Sequence, residues 1–303
     1  MMGILDCIGN TIIARIENIN PNPNVTLFAK LEGNNPSGSV KDRIALFMIE
    51  AAEKKGELTR DKIILEATSG NTGIGLAMVA SAKQYRVKLT MPACVSIERR
   101  RILEAFGAEL ILSPSEEGTD GAIRVASKIL AEDPDRYFMP NQFDNEANVM
   151  AHYETTGKEI IDQTDGKISH FIAGMGTTGT LMGTGKRLKE YNENIKIIGV
   201  EPVAGHRIQG LKNMSECISP KIFDPEKLDE RILVNDDEAF DTTRMLAVKE
   251  GIFAGMSSGA AMHVALRKSS ELQEGVIVVI LPDRGDRYLS TALFTSVCAK
   301  CPP

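Results

Sequence analysis

Three times along the chain a short apolar run ends in a turn of small residues and passes straight into a helical pattern. Val25 to Leu31 leads through Asn34, Asn35, Pro36 and Gly38 into a helix expected over Val40 to Lys54, with Ile44, Phe47, Met48 and Ala51 on one face. Ile63 to Glu66 leads through Ala67-Thr-Ser-Gly-Asn-Thr-Gly73 into a helix over Ile74 to Lys83. Ile168 to Ala173 leads through Gly174-Met-Gly-Thr-Thr-Gly-Thr180 into a helix ending at Tyr191. Strands separated by helices cannot close hairpins, so they pair in parallel and carry helices on both faces. Val276 to Leu281 is apolar throughout, as a strand in the middle of a parallel sheet must be. The fold class is therefore α/β.

The remaining pattern agrees. Val87 to Met91, Glu109 to Leu112 and Ile195 to Val200 read as further strands. Helices are expected from Ser96, as N-cap, to Phe106, and over Gly121 to Ala131, Asn145 to Gln163, Asp237 to Gly251 and Ser258 to Ser269. Pro21, Pro23 and the neighbouring asparagines mark a flexible loop. Val203 to Ile232 shows no period and reads as irregular surface structure. The best division between two runs of βα units lies near Asn141 to Asn145.

Composition narrows the function classes. The chain has 303 residues and a formal net charge of −6, which argues against a nucleic-acid partner. It has neither an apolar run of transmembrane length nor a charged leader, so it reads as soluble and cytoplasmic, with no membrane role. Five scattered cysteines do not make a disulfide framework. Cys298 and Cys301 form Cys-x-x-Cys near the end without a partner pair, and the four histidines lack metal or triad spacing, so no metal site is expected. His170 falls inside an apolar strand and reads as a core residue.

The turns carry the chemistry, because ligands of open α/β sheets bind beyond the carboxyl ends of the strands. Ser39 and Asp42 fit a capping box, which puts Lys41 in the first turn of a helix. The free N–H groups there disfavour a cation and should lower the pKa of the amine, as suits a nucleophile toward a carbonyl. Thr68 to Gly73 forms a nest suited to a carboxylate. Gly174 to Thr180 combines glycines, free N–H groups and threonine hydroxyls into a phosphate cradle. Read literally it is also G-x-G-x-x-G, and Glu201 stands 22 residues after Gly179 where a ribose-binding acid would be, so an NAD-dependent oxidoreductase is a rival. Ala254-Gly-Met-Ser-Ser-Gly259 precedes a helix, and its local sequence is best read as a cap from Ser257 or Ser258. Asp283-Arg-Gly-Asp-Arg-Tyr288 is either a solvated turn or a further edge of the site.

Taken together, Pro36-Ser-Gly-Ser-Val-Lys-Asp-Arg43, Thr68-Ser-Gly-Asn-Thr-Gly73, Gly176-Thr-Thr-Gly-Thr180 and Gly255-Met-Ser-Ser-Gly259 resemble the cysteine synthase family, fold type II enzymes dependent on pyridoxal 5'-phosphate. The likeness runs from Ile8-Gly-Asn-Thr11 to Arg287-Tyr-Leu-Ser-Thr291. Asp283 to Thr291 looks most like the cysteine synthase B (O-acetylserine sulfhydrylase B) branch. The resemblance implies two three-layer αβα domains with twisted, mostly parallel sheets and the active site between them. Residues 1–12 with 35–145 would form the smaller, mobile domain, and 13–34 with 146–303 the larger one. It implies that Lys41 forms the Schiff base with the cofactor and removes the substrate's α-proton. Asn71 would bond the ring's phenolic oxygen, and Ser257 would meet the ring nitrogen. Gly176, Thr177, Thr178, Gly179 and Thr180 would hold the phosphate. Thr68, Ser69, Asn71, Thr72 and Gln142 would hold the amino-acid carboxylate.

The implied reaction is β-replacement, from O-acetyl-L-serine and a sulfur nucleophile to L-cysteine and acetate through an α-aminoacrylate. The family also suggests a homodimer and leaves open docking of a serine acetyltransferase tail. Lys212, Asn213 and Pro282 depart from the B-branch pattern. The sulfur donor therefore stays open among sulfide, thiosulfate, a protein thiocarboxylate and homocysteine, the last giving cystathionine β-synthase-like chemistry.

Overall fold

The computed structural model describes residues 2–68 and 70–294. The strands are β1 (Ile13–Arg15), β2 (Val25–Leu31), β3 (Ile63–Ala67), β4 (Arg86–Pro92), β5 (Glu109–Ser113), β6 (Tyr137–Phe138), β7 (His170–Gly174), β8 (Lys196–Pro202), β9 (Glu230–Val234) and β10 (Gly275–Leu281). The helices are α1 (Lys41–Lys55), α2 (Asn71–Lys83), α3 (Ile97–Ala105), α4 (Gly118–Glu132), α5 (Glu146–Ala151), α6 (Gly157–Gln163), α7 (Gly179–Tyr191), α8 (Asp236–Met245) and α9 (Met256–Glu271). They build two sheets, one of order β1-β2-β10-β7-β8-β9 and one of order β5-β4-β3-β6. Among the described residues, all pairings of these strands are parallel except β1 with β2.

Strand alternation explains the uninterrupted apolar runs. In β10, Ile277, Val279 and Leu281 face the core shared with Ala260, Val264 and Ala265 of α9. Val278 and Ile280 face the opposite core, with Leu181 and Leu188 of α7 and Ile160 of α6. In β3, Ile64 packs toward α1 and α2, whereas Ile63 and Leu65 pack toward Ala122 and Ala126 of α4. The central strands β3 and β10 are therefore covered on both faces, and no polar face interrupts their sequence pattern.

Several expectations need correction. Ser39 is not the N-cap of α1. That position falls to Val40, and the carboxylate of Asp42 instead accepts from the backbone N–H of Ser37 at 2.6 Å and from its hydroxyl. Ser96 is the N-cap of α3, but its hydroxyl donates to the carbonyl of Arg287 at 3.2 Å and caps nothing. The loop at Pro21 and Pro23 is tied down, since Asn22 Nδ2 donates to the carbonyls of Ser269 (3.0 Å) and Leu272 (2.8 Å). The stretch from 203 to 232 ends in the edge strand β9, whose residues alternate buried and exposed only over a few positions. The helix expected over Asn145 to Gln163 is continuous but contains a π turn at His152–Thr156.

A cluster of ionised side chains ties β2 and the turn after it to α1 and α6. Arg43 of α1 donates through Nε and Nη2 to Glu32 (2.7 and 2.8 Å) and through Nη1 to Glu159 of α6 (2.6 Å). Lys30 of β2 donates to Glu159 (2.6 Å), to Gln163 (2.8 Å) and to the carbonyl of Thr11 (2.8 Å). Arg43, Lys30 and Glu32 are at most 1% exposed. Burial alone raises the pKa of Glu159, but Arg43 and Lys30 overcome it and hold the carboxyl at about 2. A folded pKa below the unfolded one means that the stability this group contributes is present above about 4.5 and is lost as pH falls toward 2. Glu159→Gln should cost roughly 3 kcal/mol, because it leaves two buried cations short of a partner. Denaturant melts across this acid range should show the variant losing less stability than the parent on acidification. Equal slopes would contradict the assignment.

Candidate active site

Four turns follow the carboxyl ends of β2, β3, β7 and β10, and they converge on one cleft. The cleft encloses about 990 Å³ when its open mouth is counted. Its wall contains Lys41, Thr68, Asn71, Thr72, Gln142, Gly176, Thr177, Thr178, Thr180 and Ser257. Residues up to 216 positions apart in the chain thus share one space. Gly179 stands just behind the wall, and Ser69 lies outside the described residues, as do Cys298 and Cys301.

Lys41 owes its place to the last strand. The N–H of Val40 donates to the carbonyl of Pro282 at 2.8 Å, and Ser39 bridges to Asp283. The turn is thereby laid against the end of β10. Burial pushes the Lys41 amine down to about 8, against the attraction of Asp283 and Glu32. The low pKa expected from sequence is present, but its largest cause is desolvation.

The phosphate-type cradle is built by close approach. A Cβ on Gly176 would stand 2.7 Å from the carbonyl oxygen of Gly210, and one on Gly179 would run into the buried side-chain amide of Asn148, so only glycine fits at either position. Thr178 has a φ of +67° and turns the chain into α7. The first N–H of this helix to bond back to a carbonyl is that of Met182, to Thr178 at 2.9 Å, and the N–H of Gly179 is turned to Thr177 Oγ1 at 3.4 Å, which leaves those of Thr180 and Leu181 for a ligand. Asn148 Nδ2 donates to Thr177 Oγ1 at 3.1 Å and steadies the loop from α5.

On the facing wall, Thr68 Oγ1 accepts from the N–H groups of Gly70 and Gly73, both at 3.2 Å, and so closes the start of α2. Thr72 Oγ1 donates to Gln142 Oε1 at 2.6 Å. Gln142 is held in turn by Glu66, whose carboxylate accepts from the N–H groups of Asn141 (2.8 Å) and Gln142 (3.2 Å). Burial raises Glu66 to about 7, although these two N–H groups oppose the rise.

Ser257 is not the helix cap its local sequence suggests. The N-cap of α9 is Gly255, without a side-chain bond, and Ser257 lines the cleft at 4% exposure. Glu201 does not reach the site. Its carboxylate accepts from the N–H of Met214 (2.6 Å) and from Arg231 Nε (3.0 Å), so the acid needed by a dinucleotide reading is already engaged. The Asp283 to Tyr288 stretch divides: Arg284 and Asp286 are exposed, while Asp283, Arg287 and Tyr288 are buried behind Asn71.

Two cations line the cleft that the sequence did not mark as site residues, Lys212 having stood out only as a departure from the B-branch pattern. Arg99 lies in the charge run Glu98-Arg-Arg-Arg101 that resembles any solvated helix face, yet it is 2% exposed, lines the cleft and donates to Gln209 at 2.6 Å. Lys212 lines the mouth, over the ring of Phe143 at 4.4 Å. Lys41, Arg99 and Lys212 face the cleft, and no Asp or Glu does so among the described residues. Such a cleft suits anionic ligands.

The chain belongs to the pyridoxal-phosphate-dependent enzymes, whose family pattern matches residues 4–283. Its cofactor is therefore pyridoxal phosphate. It is 48% identical over 300 residues to a cysteine synthase of Aquifex aeolicus, covering 96% of this chain and 92% of that one. It is 47% identical over 291 residues to cysteine synthase B of Pseudomonas aeruginosa, covering 96% and 97%. The crystal structure of a cysteine synthase from Entamoeba histolytica superposes with a TM-score of 0.92 at 38% identity, covering 97% of this chain and 91% of that one.

The donor set fits the cofactor. The Gly176 to Thr180 loop offers N–H groups and hydroxyls to a phosphate, Ser257 offers a neutral hydroxyl to a ring nitrogen, and Lys41 offers an amine to an aldehyde. Only the neutral amine attacks a carbonyl. The rate at which ligand-free protein captures pyridoxal phosphate should therefore rise with pH through about 8 and level off above it. Stopped-flow absorbance would measure this, and a midpoint near the ordinary lysine value of 10.5 would contradict the desolvation of Lys41.

Proposed function

We infer that this chain is a cysteine synthase, exchanging the acetoxy group of O-acetyl-L-serine for sulfide to give L-cysteine and acetate. The observation that carries the reading is the single cleft in which Lys41 faces a phosphate-type cradle, a neutral serine and a hydroxyl–amide pair. The bound cofactor supplies an electron sink for the carbanion formed at the substrate's α-carbon.

The protein's own groups do the rest. Thr68, Asn71, Thr72 and Gln142 hold the substrate carboxylate, with Ser69 completing the set. The Thr72–Gln142 bond holds both side chains at the cleft wall, and the Thr72 hydroxyl turns its one hydrogen from Gln142 Oε1 to the carboxylate when substrate binds. Lys41 Nζ takes the α-proton, and its lowered pKa keeps a useful fraction neutral near physiological pH. Acetate then leaves the β-carbon, the sulfur nucleophile adds at the same carbon, and the α-proton returns. Ser257, a neutral hydroxyl, does not fix a proton on the ring nitrogen as a carboxylate would, which favours elimination over longer-lived carbanion chemistry.

Residues 1–12 with 35–145 form the unit that closes over the carboxylate and excludes water during the exchange. The same reading makes the chain a cytoplasmic homodimer, expected to sediment at twice its 33.0 kDa.

Borohydride treatment of the yellow protein should attach the cofactor to Lys41, and peptide mapping that finds it elsewhere would refute the reading. Lys41→Ala should lower kcat on the order of 10³-fold, the scale of a lost general base. Thr72→Val should raise KM for O-acetylserine roughly tenfold with a smaller change in kcat, since it removes a carboxylate contact common to ground and transition states. Steady-state kinetics on both variants would decide.

A further inference from the structure

Asn71 lines the cleft from the first turn of α2, and a side-chain amide can sit in either of two orientations of almost equal shape. Here the surroundings are chemically one-sided. Arg287 Nη1 donates to Asn71 Oδ1 at 2.6 Å, and Asn71 Nδ2 donates to Asp283 Oδ2 at 2.6 Å. A guanidinium has no acceptor and a carboxylate no donor. Turning the amide over would set N–H against N–H and oxygen against oxygen, and would forfeit two bonds to charged groups.

Both flanking groups are themselves fixed. Asp283 is 2% exposed and also accepts from Tyr288 Oη at 2.6 Å. Arg287 is 3% exposed and donates through Nη2 to the carbonyl of Ser37 at 2.9 Å, in the turn that carries Lys41. Asn71 Nδ2 carries two hydrogens and Asp283 takes one, which leaves the second for a ligand.

We propose that Asp283 and Arg287 are positioning residues that act as a polarity clamp on Asn71, fixing its amide so that it serves the phenolic oxygen of the bound cofactor as a hydrogen-bond donor. This rests on the functional reading above. The clamp accounts for why half of the Asp283 to Tyr288 turn is buried while Arg284 and Asp286 remain in water.

The test is a double-mutant cycle read in cofactor affinity. Pyridoxal phosphate is titrated into ligand-free wild type, Asp283→Ala, Asn71→Ala and the double variant, with folding checked by circular dichroism. Asp283→Ala should weaken binding roughly tenfold, the scale of a lost hydrogen bond to a charged group. It should also shift the visible band of the bound cofactor, which reports on the phenolic oxygen. In the Asn71→Ala background the same substitution should change affinity by less than about twofold, because the residue through which it acts is gone. Wild-type affinity and an unmoved band in Asp283→Ala, or a full tenfold loss in the Asn71→Ala background, would overturn the clamp. If Asp283→Ala does not fold, Asp283→Ser goes through the same cycle with the same expectations, since it keeps a polar group for Tyr288 but is too short to hold Asn71. A wild-type protein that takes up no cofactor on Lys41 would sink the functional reading. Normal uptake with an indifferent Asp283 would sink the clamp alone.

Discussion

Two residues past Lys41, the guanidinium of Arg43 is closed off from water and shared between Glu32 and Glu159. Lys30 completes the cluster and balances its charge. Replacing such a cluster by apolar residues is often no less stable, so its contribution here is geometric. An uncompensated charge at this depth would cost several kcal/mol, and each partner must therefore sit within reach of the others. Glu32 follows β2, Glu159 lies on α6 and Arg43 lies on α1, so the first turn of α1 has one permitted position relative to the six-stranded sheet. The amine of Lys41 inherits that position.

The cleft then follows from where the two sheets end. Parallel strands present their carboxyl ends on one side, and those of β2, β3, β7 and β10 look into the same space. One wall belongs to the four-stranded sheet and holds the Thr72–Gln142 pair. The other belongs to the six-stranded sheet and holds the glycine cradle and Ser257. Three cations at the rim and wall attract anions into the space, while burial keeps one of the three, Lys41, partly neutral. The arrangement that concentrates a negatively charged ligand is thus the same one that makes its reactive amine available.

Much of the fold was legible because parallel sheets covered on both sides leave a strong trace. Their strands are apolar without interruption, their turns need glycine, and their helices alternate with them. The elements that were missed are those with little burial to record. The antiparallel strand β1 has three residues, β6 has two, and β9 is an edge strand. The cap at Ser39 was misplaced for another reason. A serine and an aspartate three apart fit a capping box, in which the carboxylate would accept from the N–H of Ser39, but Asp42 accepts from Ser37 instead, and the N–H of Val40 is drawn to the carbonyl of Pro282.

Each turn of the site carried its own chemistry in its residue types: an amine at Lys41, close backbone approach at Gly176 and Gly179, small hydroxyls from Thr68 to Thr72, and a neutral hydroxyl at Ser257. That much the sequence determined, because a phosphate cradle or a nest is made by consecutive residues. The tertiary structure alone decided the charges and the orientations. The low pKa of Lys41 comes from burial, the inward position of Arg99 from packing against Gln209 and Tyr288, and the disarming of Glu201 from Arg231. The orientation of the Asn71 amide comes from two residues more than 200 positions away. Desolvation and hydrogen-bond polarity depend on everything that surrounds a group in space, and a linear pattern records only its neighbours along the chain.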